Sequence, residues 1–160
     1  MLDHIDKQII EKLQADGRQT TSDLAQQVGL SVPAVAERIK KLQEGGIIQG
    51  FHATVDPKRI GMDVGAYIIL ISKSSAHYRE VIESARAHPD VLSCMSITGG
   101  GSHLLLVRTE NTATLETLLG QIQAWPGVSR TETRIILSHY KRNGVVRVPA
   151  AHIKDHPANR

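Results

Sequence analysis

Lys40 and Lys41 stand side by side near the end of an amphipathic stretch that opens at Ser31. Two adjacent cations on one outward face can neutralise two phosphates. The opening of the same stretch, Ser31-Val32-Pro33-Ala34, reads as a helix start, where free backbone N–H groups can hold a further phosphate. A second conspicuous run, Thr98-Gly99-Gly100-Gly101-Ser102-His103, has the glycines of a tight turn that needs positive φ. It joins two strand-like segments, whereas a nucleotide-binding glycine fingerprint requires a strand before it and a helix after. Cys94, His88 and His103 offer neither a CxxC nor an i, i+4 pair, so no metal site is expected. The lone Cys94 reads as a small core residue. No Ser/His/Asp set or paired carboxylates stand out, and the chain is not expected to be an enzyme.

The elements that must position these residues follow from periodicity. Ile5, Ile9, Ile10 and Leu13 recur on one helical face until Asp16-Gly17 breaks the run. Thr20 or Thr21 caps a second, short helix with Leu24, Ala25 and Val28 inward, and Gly29 supplies the turn. Ser31 caps a third helix with Pro33 early in it and Val35, Ile39 and Leu42 as its buried stripe, ending at Gly45-Gly46. Two helices joined by a Gly-containing turn form a helix-turn-helix, in which the second helix enters the major groove of DNA. Its outward residues are Val32, Pro33, Ala34, Ala36, Glu37, Lys40 and Lys41. Arg38 lies beside the apolar stripe and either closes an internal ion pair or touches DNA. Beyond the helix, Ile47, Phe51, Ala53 and Val55 alternate with Ile48, Gly50, His52 and Thr54, the period-two signal of the strands of a wing.

In the second half, 64–72 is a nearly continuous apolar run and reads as a buried strand. A helix with Val81, Ile82 and Ala85 inward stops at His88-Pro89, and strands follow over 91–98 and 104–109. Asn111 or Thr112 caps another helix carrying Leu115, Leu118, Leu119 and Ile122, and 128–139 is the last strand. The order βαββαβ predicts a ferredoxin-like sandwich, so the fold class is α+β: a winged helix-turn-helix over 1–60, with wing and linker at about 47–62, then the sandwich over 63–140. Ile68, Leu70, Leu105, Val107, Ile135 and Leu137 share one set of alternate positions. Both sheet faces look apolar, which calls for cover from another chain.

The net charge of +3 is unevenly spread: residues 1–60 balance, 61–140 are slightly acidic, and 141–160 hold five Lys/Arg against one Asp. Global basicity is therefore weak support for DNA binding, and 141–160 reads as a basic flexible tail. No apolar run approaches the ~20 residues of a membrane span. Met1 is followed at once by Asp3, His4 and Asp6 rather than by a secretory h-region, so a cytoplasmic chain is expected.

The ordered set Leu2-Asp3, Asp6, Leu13-Gln14, Asp16-Gly17-Arg18, Leu24-Ala25, Val28-Gly29-Leu30-Ser31, Val35, Arg38-Ile39, Leu42, Gly46-Ile47-Ile48 and Asp56-Pro57 closely resembles the opening of the leucine-responsive/asparagine-responsive (Lrp/AsnC, feast/famine) regulators. The likeness continues to about residue 140. It implies a transcription regulator of amino-acid-related genes with double-stranded DNA as partner, read by Ser31, Val32, Pro33, Ala34, Glu37, Arg38, Lys40 and Lys41. It also implies sheet-to-sheet dimers assembling to octamers or larger. The alternative within DNA binding is a nucleoid-organising protein that wraps or bridges DNA without an effector. The resemblance further implies a small amino-acid effector, and no other cofactor, at the turn Thr98, Gly99, Gly100, Gly101, Ser102 and His103, with Thr131 and Thr133 nearby. Relatives that sense amino acids resemble G-x-x-D-Y-L-L there, whereas this chain has Ser102 at the acid position and His103 at the aromatic one. Either Ser102 accepts from an ammonium, or the effector is of another kind, or the site is vestigial.

Overall fold

The computed structural model describes residues 2–141 and 144–153, and the chain forms two compact units. One comprises residues up to Thr54 with the described part of the segment after Tyr140; the other is Val55–Tyr140.

The first unit is a three-helix head. Helix α1, His4–Ala15, starts in a capping box in which Asp3 accepts from the Asp6 N–H and Asp6 accepts from the Asp3 N–H. Helix α2, Thr21–Val28, is capped by Thr20 and ends at Gly29, whose φ of 70° is the left-handed conformation glycine adopts without cost. Helix α3, Val32–Glu44, is capped by Ser31 with Pro33 in its first turn. Ile9, Leu24 and Val35 are fully buried where the three helices meet, joined by Ile10, Leu13, Ala25 and Leu42. The α2-turn-α3 pair is a helix-turn-helix.

Two expectations for this unit need correction. The wing strands over 47–55 do not form: the Ile47 and Ile48 N–H groups both donate to the Leu42 carbonyl, closing a turn, and residues 49–56 run on without regular structure. The alternation there favours an extended chain, but a strand also needs a ladder partner, and none lies alongside among the described residues. The segment read as a loose tail is held over much of its described length. The Gln14 side chain donates to the Val146 carbonyl at 3.0 Å and accepts from its N–H at 2.7 Å, Val148 packs on the helical core, and Leu2 pairs with Ile153. The tail reading for 142–143 and 154–160 falls outside the described residues.

The second unit runs β1 (Val64–Ser72), α4 (Tyr78–Ala87), β2 (Val91–Ser96), β3 (His103–Thr109), α5 (Thr112–Gln123) and β4 (Val128–Ile135). The sheet order is β2-β3-β1-β4 with antiparallel neighbours, a βαββαβ sandwich. Ala66, Ile68, Leu70, Leu105 and Val107 are fully buried beneath Val81 and Ala85 of α4 and Leu115, Leu118 and Ile122 of α5. On the opposite face, Tyr67 is exposed and Ile69, Ile71, Leu104 and Leu106 are half-buried, flanked by the exposed Arg130, Glu132 and Arg134. That face is thus apolar in its centre and charged along β4. The last strand is shorter than expected: its pairing with β1 stops after Ile136 donates to the Gly65 carbonyl, and Leu137 lies outside the strand, 85% exposed.

Candidate nucleic-acid interface and ligand turn

On α3 the buried Val35 and Leu42 fix which side looks out, and Val32, Pro33, Glu37, Lys40 and Lys41 are all exposed while Ala34 is half-buried. The Ser31 hydroxyl accepts from the Ala34 N–H at 3.4 Å. Lys40 lies 3.8 Å from Glu44 and Lys41 3.5 Å from Glu37, each one helical turn apart. Exposed pairs of this kind are worth only about 0.3–0.5 kcal/mol, so either ammonium is free to exchange its carboxylate for a phosphate.

Arg38 is the exception, held in an ion pair within the head. Its Nη1 donates to Asp3 Oδ2 and to Asp6 Oδ1, both at 2.7 Å, tying the third helix to the capping box of the first. Of the two roles the sequence allows, the internal ion pair is the one formed. Burial raises the Asp3 pKa, but the Asp6 N–H and the Arg38 guanidinium more than reverse this and hold it below the usual carboxylate value.

At the turn between β2 and β3, Gly99 has φ 107°, and a Cβ on Gly101 would collide with Ile69 Cγ2. Thr98, Gly99 and Gly100 are exposed. Ser102 is not idle: its hydroxyl donates to the Leu70 carbonyl at 3.2 Å and sits 2.7 Å from Ser72 Oγ and 3.0 Å from His103 Nδ1. One hydrogen and two lone pairs are all that a serine hydroxyl has, and here every one is used inside the fold. His103 is 1% exposed, turned into the helix-facing side of the sheet in line with Leu105 and Val107, with the Tyr78 ring edge-on at 4.8 Å. Burial pushes its pKa down. The Ser102 hydroxyl is thus engaged within the fold, and the His103 ring is buried beside it. Thr131 shares the cross-sheet row His103, Leu70, Thr131 but takes a hydrogen bond from Gln123 Nε2 at 3.1 Å; Thr133 is exposed further along β4. Ser72, which completes the hydroxyl network, gives no signal in the sequence because it stands at the end of an apolar strand.

His88 bonds Gln121 Oε1 through Nε2, and Cys94 is half-buried with its thiol pushed up by that burial. Among the described residues no group of three or more His, Cys, Asp or Glu side chains is placed to hold a metal ion, and no helix is long and apolar enough to cross a membrane.

Residues 2–43 match the AsnC-type helix-turn-helix domain and residues 66–146 the Lrp/AsnC ligand binding domain. The chain is 35% identical to the HTH-type transcriptional regulator FL11 of Pyrococcus horikoshii, covering 88% of this chain and 92% of that one. It is likewise 35% identical to the HTH-type transcriptional regulator LrpA of Mycobacterium tuberculosis, over 87% of this chain and 92% of that one. The feast or famine regulatory protein of M. tuberculosis, in a structure complexed with L-methionine, superimposes with a TM-score of 0.84 at 34% identity, covering 89% of this chain and 96% of that one.

Proposed function

Because this chain belongs to the Lrp/AsnC family of transcriptional regulators, we propose that it controls amino-acid-related genes by reading double-stranded DNA with the outward face of α3, tuned by a small amino-acid-like effector. The observation that carries the DNA reading is the pairing of a committed inner stripe with an uncommitted outer one: Val35 and Leu42 are spent on the core, while Lys40 and Lys41 hold only weak, exposed partners. Ser31, Val32, Pro33, Ala34 and Glu37 complete the reading surface, and Arg38 supports it from within. The effector reading is supported by the L-methionine complex of the mycobacterial relative. Association of copies, to a dimer and on to an octamer or more, follows from the partly apolar open sheet face, which a monomer would leave in water. The protein works in the cytoplasm. A nucleoid-organising role is not adopted, since the matched relatives are transcriptional regulators.

The test is the salt dependence of DNA affinity. Lys40→Ala with Lys41→Ala is expected to weaken binding to all sequences and to reduce the log–log salt slope by up to ~2, about 0.9 per lost phosphate. Val32→Ala or Glu37→Ala is expected to alter sequence preference with little change in slope. An unchanged slope in the double lysine variant removes α3 from the phosphate contacts.

A further inference from the structure

The head keeps an apolar groove that its own closing segment does not fill. Leu2, together with Ile10 and Leu13 of α1, forms one wall, and Ile47, Ile48 and Phe51, which follow α3, form another. Residues 146–149 make the third wall, and the three bound a space of about 890 Å³. That volume lies within the ~300–1,000 Å³ range of small-molecule sites. With the segment in place Ile47 and Phe51 are still 49% and 47% exposed, so apolar surface is left in water where an occupant would cover it.

The polar groups around this space sort by sign. Gln14 is already engaged: its amide donates to the Val146 carbonyl and accepts from the Val146 N–H, so it fastens the segment rather than a ligand. Arg147 lines the same space, is exposed, and has no ion-pair partner among the described residues. His52 and His152 line it too, each with a ring N–H to donate, whereas no Asp or Glu does. A guanidinium without a carboxylate calls for an anionic group, which it binds through paired charge-assisted hydrogen bonds. An ammonium finds no carboxylate to meet it here. Walls and rim together ask for one molecule with a hydrocarbon body and a single carboxylate.

We propose that the groove between α1, residues 47–51 and the closing segment is a site for an apolar monocarboxylate of the medium-chain fatty acid class. Arg147 binds the carboxylate, and the hydrocarbon lies over Ile47, Ile48 and Phe51. The site belongs to the helix-turn-helix unit and not to the βαββαβ unit, so it is separate from the amino-acid effector reading and stands without it. A molecule held there touches both α1 and the segment. It therefore binds the closed head more tightly than an open one and shifts the head towards the closed state.

Calorimetric titration of the full chain with octanoate, hexanoate and octan-1-ol tests this. Saturable binding is expected for octanoate, and about tenfold weaker binding for hexanoate, which has two methylenes fewer to bury. Arg147→Gln, an exposed substitution outside the core, is expected to weaken octanoate at least tenfold and to leave octan-1-ol unchanged; Arg147→Lys, which keeps the charge, is expected to recover binding. The Ile47 and Ile48 methyl resonances locate the ligand. They are expected to shift with octanoate, while those of Ile68 and Ile122 in the second unit stay in place. Absence of saturable octanoate binding, undiminished octanoate binding by Arg147→Gln, or shifts at Ile68 and Ile122 without shifts at Ile47 and Ile48 overturns the proposal. Ile47 and Ile48 resonances that follow protein dilution and ignore octanoate would hand the groove to a second copy of the chain and overturn it too. DNA affinity measured in parallel keeps the readings apart: its loss bears on the function proposed above and leaves this site standing.

Discussion

Replacing Arg38 by methionine keeps most of the side chain's apolar stem and removes the guanidinium that joins α3 to α1. Two contacts of 2.7 Å are lost, and Asp3 and Asp6, already bonded to each other's backbone N–H, are left as facing carboxylates with no cation between them. A hydrogen bond to a charged group in a buried setting is worth about 1.5–3 kcal/mol. The side chains here keep 16–29% of their surface in water, and solvent recovers part of that. We expect Arg38→Met to cost the head about 2 kcal/mol, which for a unit of this size is a fall of roughly 10 °C in its melting midpoint. Urea unfolding followed through amide resonances of α1 and α3 measures it. The acid limb gives a second signature. The Asp3 pKa is lowered in the fold, so its contribution is complete above the ordinary value of 3.8 and fades as pH falls through the depressed one. Without Arg38 much of that acid-labile stability should be missing from the start. On DNA, the variant's salt slope is expected to match wild type, because the guanidinium is spent inside the protein, whereas a lost phosphate contact would lower the slope by about 0.9. A variant as stable as wild type, with a reduced salt slope, would refute the reasoning.

Burial of His103 leaves its folded pKa below the ordinary 6.5, so the unfolded chain binds the extra proton first. Stability of the second unit should be complete above about pH 6.5 and fall by up to ~1.4 kcal/mol per pH unit as pH drops toward the folded value; His103→Phe should flatten that dependence in urea melts. Gly101→Ala, which drives a methyl into Ile69 and the Leu70 carbonyl, is expected to cost about 1–3 kcal/mol, whereas Gly100→Ala, with open space around it, should stay within ~0.5 kcal/mol on thermal melting. Sedimentation of the full chain at micromolar concentration should show a dimer or larger species; a clean monomer would remove the open sheet face as an assembly surface.

Much of this fold was legible because its signals are local. Thr20, Gly29, Ser31 and Pro33 each do a job set by one or two neighbouring peptides, and β1 was bounded correctly at Val64 and Ser72 by its apolar run alone. What stayed hidden depends on partners remote in sequence. Periodicity placed Arg38 at the edge of a buried stripe but could not say that Asp3 and Asp6, more than thirty residues earlier, converge on it. The alternation over 47–55 was real, yet the residues that would decide between a strand and an extended chain lie elsewhere. Arg108 is a similar case: it is 8% exposed, laid over Gly65 and bonded to His139, and a one-dimensional pattern assigns an arginine to the surface. His103 could have been read more closely, since the same period of two that buries Leu105 and Val107 buries it as well.

The segment that returns to the head also bears on how the protein is made. Helix α1 is synthesised before the second unit, yet the backbone that satisfies Gln14 and pairs with Leu2 is synthesised after it. Domains generally fold as units during synthesis, the N-terminal one first. Here the N-terminal unit must wait through the whole of the second before its closing piece arrives. A nascent chain therefore carries a helical head with an apolar flank, Leu2, Ile10, Leu13 and Ile48, uncovered by Val148 until that residue has been made. Chains that stop between Tyr140 and Val146 would have the second unit whole and the helix-turn-helix unit without its closing segment.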